Sequence, residues 1–319
     1  MNFSLVGNIT QANTLKDSFS TAVAKNVVVV SLCISINYIN GTLVHTFIKH
    51  EIFNRNPRYI LFIHMVFNDM IQLIITVLIH VLRYIVLTLN VSFCCVLLLS
   101  ATFTTLNTPL NLAAMAIERY IAICNPLRHA QICTVPKTYI LIGLIWGLNA
   151  IQALPDLFVL LATQPQSFFH SNVFCFRDYL FNNPYMLENR NVMYIIYLSF
   201  VGLTIVYTYI RIMFVAKSTN LDAGKARSTL ILHGIQLLMC LLTFVGPFLD
   251  KVLTGMLFLN YVVIHIIPRF VSPVVYGMRD QTFCKYLKRY LLCTMFQTRS
   301  TIKTLQPKMN LAKVSDKSI

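Results

Sequence analysis

The chain has 319 residues, of which 56% are apolar and 12% charged, and its mean hydropathy is +0.66. A soluble fold of this size could not hide that much apolar surface, which excludes a soluble globular protein. The formal charge of +15 does not indicate nucleic acid: 19 of the 26 Lys and Arg residues fall on one side of the predicted bundle, 6 fall on the other, and Arg269 alone lies inside a span away from its ends. The sequence therefore predicts an integral membrane protein whose basic side faces acidic lipid head groups.

Seven apolar segments each approach or exceed the roughly 20 residues that a membrane-spanning helix needs. We predict an all-α membrane protein, a seven-transmembrane helix bundle over residues 23–278, with spans at 23–46, 59–84, 94–124, 139–160, 192–215, 228–249 and 257–276. The excess of basic residues on one side places the N-terminal arm, residues 1–22, outside the cell and the C-terminus in the cytoplasm, which is the topology of a multi-pass plasma-membrane protein. Asn2 and Asn8 in that arm open N-x-Ser/Thr sequons and are candidate glycosylation sites.

The first three spans contain polar groups that need partners inside the membrane. Asp69 lies one third of the way along span two, and an intramembrane carboxylate marks a functional site unless it is a merely structural polar knot. Span three is unusually polar at its centre, so it should face other helices or a cavity. We expect it to be the central helix of the bundle. Its polar residues are Thr102, Thr104, Thr105, Asn107, Thr108 and Asn111.

The nine cysteines show no C-x-x-C spacing, so neither a zinc ribbon nor a redox pair is expected. Cys94 begins span three at the outer surface, and Cys175 lies in the longest external loop, residues 163–191. A disulfide persists on that oxidising side, which favours the pair Cys94 and Cys175, with Cys95 as an adjacent competitor. A loop this long in a compact bundle is typical of a lid.

No metal, cofactor or catalytic site is predicted. His50-Glu51 lacks the second histidine at position 54 that a zinc-binding helix would need. An intramembrane hydrolase would need a catalytic partner near Asp69, and no such constellation is present. We therefore do not expect an enzyme.

The last third of the chain contains a pivot and a surface helix. Gly246-Pro247 should kink span six, because proline removes a backbone hydrogen bond. Residues 279–296 place apolar side chains at helical spacing beside Lys285, Lys288 and Arg289, which predicts an amphipathic helix on the membrane surface. The cytoplasmic tail, residues 297–319, is expected to be disordered.

Seven spans, a cysteine opening span three and Glu-Arg-Tyr closing it resemble the rhodopsin-like G protein-coupled receptors. Residues 115–129 narrow the resemblance: MAIERYIAICNPLRH is similar to the M-A-x-D/E-R-Y-x-A-I-C-x-P-L-x-Y signature of odorant receptors. Lys225-Ala226 with Thr229 and His233 follows the K-A-x-x-T-x-x-x-H start of that family's sixth helix. Departures at Arg58, Glu118, His129 and Ser272 look more like fish odorant receptors than mammalian ones.

The resemblance implies a two-state receptor, in which a small odorant bound in the outer half of the bundle moves the inner end of span six and admits a heterotrimeric G protein that raises cAMP. Arg119 would be the hinge, held by Glu118 in the resting state. The implied switch residues are Glu118, Arg119, Tyr120, Tyr209, His233 and Tyr276. Asp69, Thr108 and Ser272 stand where a sodium ion or a water cluster can sit in the family.

A ligand pocket follows partly from helical spacing and partly from family position. Spacing puts Leu98, Ala101, Thr102, Thr105 and Leu106 on one broad face of span three. Family position adds Met193, Tyr194, Tyr197, Phe244, Val245, Phe248, Val262 and His265, although ordinary helix packing explains such residues equally well. Aromatic walls fit a neutral odorant. The outer third of span three has no acidic residue to hold an amine. Arg83 and Arg190 lie near the outer mouth of the bundle, so an anionic ligand is compatible with the sequence.

Two other classes are compatible with the residues. A transporter or channel would also use apolar spans and one aspartate, but it would be expected to show inverted repeats or paired broken helices. A rhodopsin-like receptor for a lipid or a peptide shares the Glu-Arg-Tyr motif. The oligomeric state and the identity of the ligand do not follow from the sequence.

Overall fold

The structure is a computed structural model that describes residues 18–86, 88–181, 184–218 and 257–271, together with residues 235 and 238. Each of its five long helices contains a stretch long and apolar enough to cross a membrane. A further apolar helix, Phe258–Val271, belongs to span seven. Apart from residues 235 and 238, span six lies outside the described residues. Spans one to five are the helices Phe19–Lys49, Pro57–Ile85, Val91–Cys124, Val135–Thr163 and Pro184–Ser218.

Short elements join the long helices. Helices Glu51–Asn54 and Pro126–Ile132 follow spans one and three, and a 3-10 helix, Gln166–His170, follows span four. Two strands, β1 (Leu89–Asn90) and β2 (Asn172–Val173), pair antiparallel, with Leu89 opposite Val173 and Asn90 opposite Asn172. The helix Arg177–Leu180 precedes span five. Span seven is α-helical over Leu257–Tyr261, π-helical over Val262–Ile266 and α-helical again up to residue 271.

Local residues explain where several helices begin. Pro57 occupies the first turn of span two, where its missing N–H is not needed, and the Asn56 side chain accepts a hydrogen bond from the Arg58 N–H at 3.1 Å. Asn90 caps span three in the same way, through the Ser92 N–H at 3.0 Å. Span five begins at Pro184, eight residues earlier than hydropathy predicts, because a helix can continue beyond the apolar stretch that marks the membrane.

Span three is the central helix of the described bundle, as its polar centre predicts. It is 34 residues long and packs against spans two, four and five. One apolar core joins spans one to five, around Phe62, Met65 and Leu112. A second core surrounds Cys94 and Cys175, and a third joins spans one, two and seven. Large apolar side chains such as Ile151, Leu203 and Phe214 remain exposed, which suits helices surrounded by lipid.

Candidate functional site

The polar centre of the bundle contains a buried ion pair between spans two and seven. Arg269 Nη1 donates to Asp69 Oδ1 at 2.8 Å and to Thr108 Oγ1 at 3.1 Å. The Thr108 hydroxyl also lies 3.4 Å from Asp69 Oδ1. The two charged side chains are 3% and 0% exposed, respectively. The structure therefore brings Asp69 and Thr108 together with Arg269, while Ser272 lies outside the described residues.

Sequence reasoning did not assign Arg269 to this site. A signal was nevertheless present, because Arg269 is the one basic residue that lies inside an apolar span away from its ends, and Asp69 is an intramembrane acid. Opposite charges at that depth are expected to find each other, since an unpaired one is expensive in hydrocarbon. Their separation of 200 positions in the chain hid the contact.

The surrounding polar side chains of span two also bond to span three. Asn68 Nδ2 donates to the Thr104 carbonyl at 2.9 Å and to Thr108 Oγ1 at 3.2 Å. Gln72 Nε2 donates to Thr105 Oγ1 at 2.8 Å. The Thr105 hydroxyl, which was predicted to line the ligand pocket, thus faces span two.

A further chain of hydrogen bonds begins on span four at Trp146, the single tryptophan of the sequence. Trp146 Nε1 donates to His64 Nε2 at 2.9 Å, and His64 Nδ1 lies 3.0 Å from Asn111 Oδ1. Because Nε2 accepts from the indole, the proton of the neutral imidazole must be on Nδ1, where it is donated to Asn111. Spans two, three and four are therefore linked by one hydrogen-bonded chain.

The end of span three that carries Glu118 and Arg119, here named the Arg119 end, contains a looser ionic cluster. Glu118 Oε2 lies 3.8 Å from Arg119 Nε, while Glu118 Oε1 lies 3.0 Å from His129 Nε2. Nη2 of Arg119 makes no hydrogen bond to a residue that the structure describes. His129, from the short helix after span three, is a partner of Glu118 that the sequence did not reveal. Burial, together with Glu118, raises the pKa of the nearby Cys133 thiol.

The predicted tyrosines are distributed around this end. The ring of Tyr120 lies 6.2 Å from the ring of Tyr207 on span five. Tyr209 is 38% exposed. His233 and Tyr276, the other predicted switch residues, lie outside the described residues.

The opposite end, here named the disulfide end, is covered by the loop between spans four and five. The predicted Cys94–Cys175 disulfide is present, and Cys95 is a buried free thiol. β1 and β2 pair beside the disulfide, and Ser92 Oγ donates to the Phe169 carbonyl at 2.9 Å. The loop is thus fixed by a covalent bond, a short sheet and a side-chain hydrogen bond.

Two arginines that follow span four, Arg177 and Arg190, both contact Asp156 of that span. Arg177 Nη1 donates to Tyr194 Oη at 2.6 Å, and its Nη2 donates to Asp156 Oδ2 at 3.3 Å. Arg190 Nη1 lies 3.5 Å from the same Asp156 oxygen. Burial works to lower the pKa of Arg177, but Tyr194 and Asp156 outweigh it, so that pKa is raised above its usual value.

The predicted pocket residues are only partly grouped. Leu98 and Ala101 pack in the apolar core around the disulfide, and Thr102 is buried. The Tyr197 hydroxyl donates to the Leu106 carbonyl, which ties span five to span three. Met193 is 42% exposed. Phe244, Val245 and Phe248 lie outside the described residues.

On span seven, the predicted pocket residues belong to the third apolar core and to an aromatic group. Val262 packs on that core. The His265 ring lies 5.5 Å from that of Tyr261, which in turn stacks on His80 of span two at 4.4 Å. The Tyr261 hydroxyl donates to the Thr76 carbonyl at 3.2 Å. This group therefore joins spans two and seven.

Comparison with known families agrees with this architecture. Residues 39–296 match the model of the 7 transmembrane receptor (rhodopsin family). That match covers most of the chain and includes spans six and seven. The chain belongs to the rhodopsin family of seven-transmembrane receptors. Membership confirms the predicted seven-helix membrane fold and the expectation that the protein is not an enzyme.

Individual relatives narrow the class. The chain is 32% identical to odorant receptor 131-2 of Danio rerio over 309 residues, which is 92% of this chain and 91% of that protein. It is also 32% identical to human olfactory receptor 51D1 over 188 residues, covering 54% of this chain and 57% of that protein. Rat neurotensin receptor type 1 matches over 53 residues only, 17% of this chain and 12% of that protein, at 38% identity. The predicted resemblance to odorant receptors, including a fish one, is confirmed.

Proposed function

We propose that this receptor binds a small odorant at the disulfide end of the bundle and activates a heterotrimeric G protein that raises cAMP. The observation that carries the proposal is the similarity to odorant receptor 131-2 along 92% of the chain. The signature at residues 115–129 supports it independently, because it combines the Glu-Arg-Tyr of rhodopsin-like receptors with flanking residues typical of odorant receptors.

The disulfide end faces the outside of the cell in this proposal, and the Arg119 end faces the cytoplasm. A disulfide persists in an oxidising compartment, which supports the outward assignment of Cys94 and Cys175. The excess of Lys and Arg on the Arg119 side supports the inward assignment. Acidic lipids then lie against the basic loops and against residues 279–296, which lie outside the described residues.

The odorant lies beneath the loop that covers the disulfide end, between spans three, five, six and seven. The residues proposed to line this site, Leu98, Ala101, Leu106, Val262 and His265, are apolar or aromatic, which suits a neutral or weakly polar ligand. Arg177 and Arg190 both lie against Asp156, whose carboxylate offsets part of their positive charge.

The signal leaves through Arg119. In the resting state Glu118 engages Arg119 and His129 together, and in the active state Arg119 is released toward the G protein while span six moves outward. The contact between Glu118 and Arg119 is long, 3.8 Å, and the Glu118 carboxylate also engages His129, so a ligand has less to overcome there than at a short ion pair.

A receptor for a non-odorant ligand such as a lipid or a peptide is the alternative. The short matches to neurotensin receptor type 1 and to G-protein coupled receptor 39, 53 residues each, support the shared signalling mechanism and carry no information on the ligand. A transporter or channel has less support, since the family match covers residues 39–296.

An odorant panel on cells that express the full chain tests the function. The panel contains neutral odorants, carboxylic acids and amines, and cAMP is the readout. We expect a response to at least one neutral odorant, and no response from Arg119→Ala at equal surface expression. An identical response from Arg119→Ala would contradict the switch, and a response to lipids or peptides with none to odorants would favour the alternative.

Glycan mapping tests the orientation. If the N-terminal arm is outside, glycosidase treatment should shorten the receptor on a gel, and the double variant Asn2→Gln/Asn8→Gln should show no such shift. An epitope tag at the N-terminus should then bind antibody on intact cells. Tag binding that requires permeabilised cells would reverse the proposed topology.

A further inference from the structure

The ion pair in the polar centre differs from the cation site that the family resemblance led us to expect. The resemblance assigns Asp69, Thr108 and Ser272 to a sodium ion or a water cluster. In the structure, the two of these oxygen donors that are described already face a cation supplied by the chain itself. Arg269 Nη1 lies 2.8 Å from Asp69 Oδ1 and 3.1 Å from Thr108 Oγ1.

These residues do not fit a bound sodium ion. One guanidinium neutralises one carboxylate, so the pair keeps no net charge to attract a second cation. Oδ2 of Asp69 makes no hydrogen bond to a described residue, but an ion placed there would lie a few ångströms from the guanidinium. Two like charges at that distance repel strongly inside a buried, poorly solvated site.

A guanidinium also binds differently from a small ion. The planar guanidinium presents N–H donors in fixed directions. Here one of its nitrogens, Nη1, donates to Asp69 of span two and to Thr108 of span three. Because the charge is covalently part of span seven, it cannot exchange with solvent. It therefore fixes the position of span seven against spans two and three for as long as the pair is intact.

Arg269 lies directly after the π-helical segment of span seven. His265 lies one turn before Arg269, and the π-helical segment Val262–Ile266 ends between them. A π-helix holds more residues per turn than an α-helix and is frequently found at functional sites. The pair thus anchors the helix directly after its irregular segment.

We propose that Arg269 is the built-in counter-cation of Asp69, so that the polar centre of this receptor takes no sodium ion and Arg269 positions span seven. This proposal does not depend on the odorant, because it concerns the unliganded receptor. Its failure would leave the proposed receptor function untouched, since that function is read out by cAMP.

The test is the thermal unfolding midpoint of the full-length receptor in detergent, in sodium chloride and in choline chloride at equal ionic strength. We expect the wild-type midpoint to be the same in both salts. Arg269→Ala leaves the Asp69 carboxylate without its cation, so its midpoint should fall in choline chloride and partly recover in sodium chloride. A wild-type midpoint raised by sodium, or an Arg269→Ala midpoint that ignores sodium, would overturn the proposal.

A double variant keeps the test decisive if Arg269→Ala folds poorly. Asp69→Asn/Arg269→Gln removes both charges and keeps polar groups at both positions. It should recover most of the lost stability and ignore sodium, because no carboxylate remains. A double variant no more stable than Arg269→Ala would show that pairing with Asp69 is not the role of Arg269.

Discussion

Span three takes part in two ionic contacts, one at Thr108 and one at Arg119, about 11 residues further along the helix. Near its centre, Thr108 contacts the buried pair of Asp69 and Arg269, whose charged atoms are 2.8 Å apart. At its Arg119 end, Glu118 and Arg119 are separated by 3.8 Å, and His129 competes for the same carboxylate. The longer pair, whose carboxylate also has His129 as a partner, can be broken at a smaller cost than the short, fully buried pair at the centre. The pair of Asp69 and Arg269 is therefore suited to holding spans two and seven together, and the pair of Glu118 and Arg119 is suited to a switch.

Breaking the buried pair should have the largest effect. Asp69→Asn leaves the guanidinium of Arg269 buried without its carboxylate, and we expect a loss of about 3–5 kcal/mol in the free energy of unfolding, the usual cost of removing one partner of a buried pair. Thermal unfolding of the solubilised receptor measures it. Glu51→Gln is the matched control, because Glu51 forms an exposed pair with Arg55 and its loss should not measurably change the midpoint. Equal effects of the two variants would erase the contrast between buried and exposed pairs.

Breaking the cluster at the Arg119 end should change signalling rather than folding. Glu118→Gln removes the charge that both Arg119 and His129 engage, so Arg119 is released without ligand. We expect basal cAMP to rise by up to about tenfold, the equivalent of roughly 1.4 kcal/mol in a two-state equilibrium. The comparison is made at equal surface expression, with Glu51→Gln again as the control. Unchanged basal cAMP would mean that Glu118 does not hold the resting state.

The hydrogen bond of the tryptophan should be worth less. Trp146→Phe keeps one aromatic ring but removes the pyrrole part of the indole with the N–H that donates to His64, and the lost hydrogen bond accounts for about 1 kcal/mol of the expected cost in unfolding free energy. A double-mutant cycle with His64→Leu isolates that bond from packing changes. Strictly additive effects of the two substitutions would show that it contributes nothing.

Removing the competitor of Arg119 should give the smallest effect, with the opposite sign. His129→Phe leaves Glu118 more available to Arg119, which strengthens the resting state. We expect basal cAMP to fall by about two- to fivefold, within the range of roughly 0.5–1 kcal/mol for a partly exposed pair. An increase would instead mean that His129 stabilises the resting state together with Arg119.

The sequence predicted the helices well because the membrane imposes a simple rule on it. Apolar stretches of sufficient length must be helical, and the prolines and asparagines at positions such as 56, 57 and 90 mark where helices begin. The Cys94–Cys175 pair was also predictable, since the sequence places both residues on the side of the bundle predicted to be outside, although it left Cys95 open as a competitor. In the spans that the structure describes, the differences from prediction lie at helix ends such as Pro184, where the helix extends beyond the apolar stretch, and in the π-helical segment Val262–Ile266 of span seven.

The partners within the site were less predictable, for a physical reason. Helical spacing states which residues share a face, but it does not state which neighbouring helix that face meets. Thr105 was expected in the ligand pocket and instead bonds to Gln72 of span two. His129 pairs with Glu118 and Arg269 pairs with Asp69, and in each pair the sequence had singled out the acid as a candidate site residue. In both cases the acid was recognised because it is rare in an apolar sequence, and its base was overlooked because pairing depends on the fold.

The loop that covers the disulfide end has a consequence for the energy of ligand binding. Its disulfide, its strand pair and the hydrogen bond from Ser92 to Phe169 order it before any ligand arrives. A small molecule offers at best about 1.5 kcal/mol per non-hydrogen atom, and ordering a free side chain costs roughly 0.5–1.5 kcal/mol. The binding free energy of a small ligand such as the proposed odorant would therefore be too small to order a disordered loop as well. Because this loop is ordered in advance, that binding free energy remains available for selecting the active state.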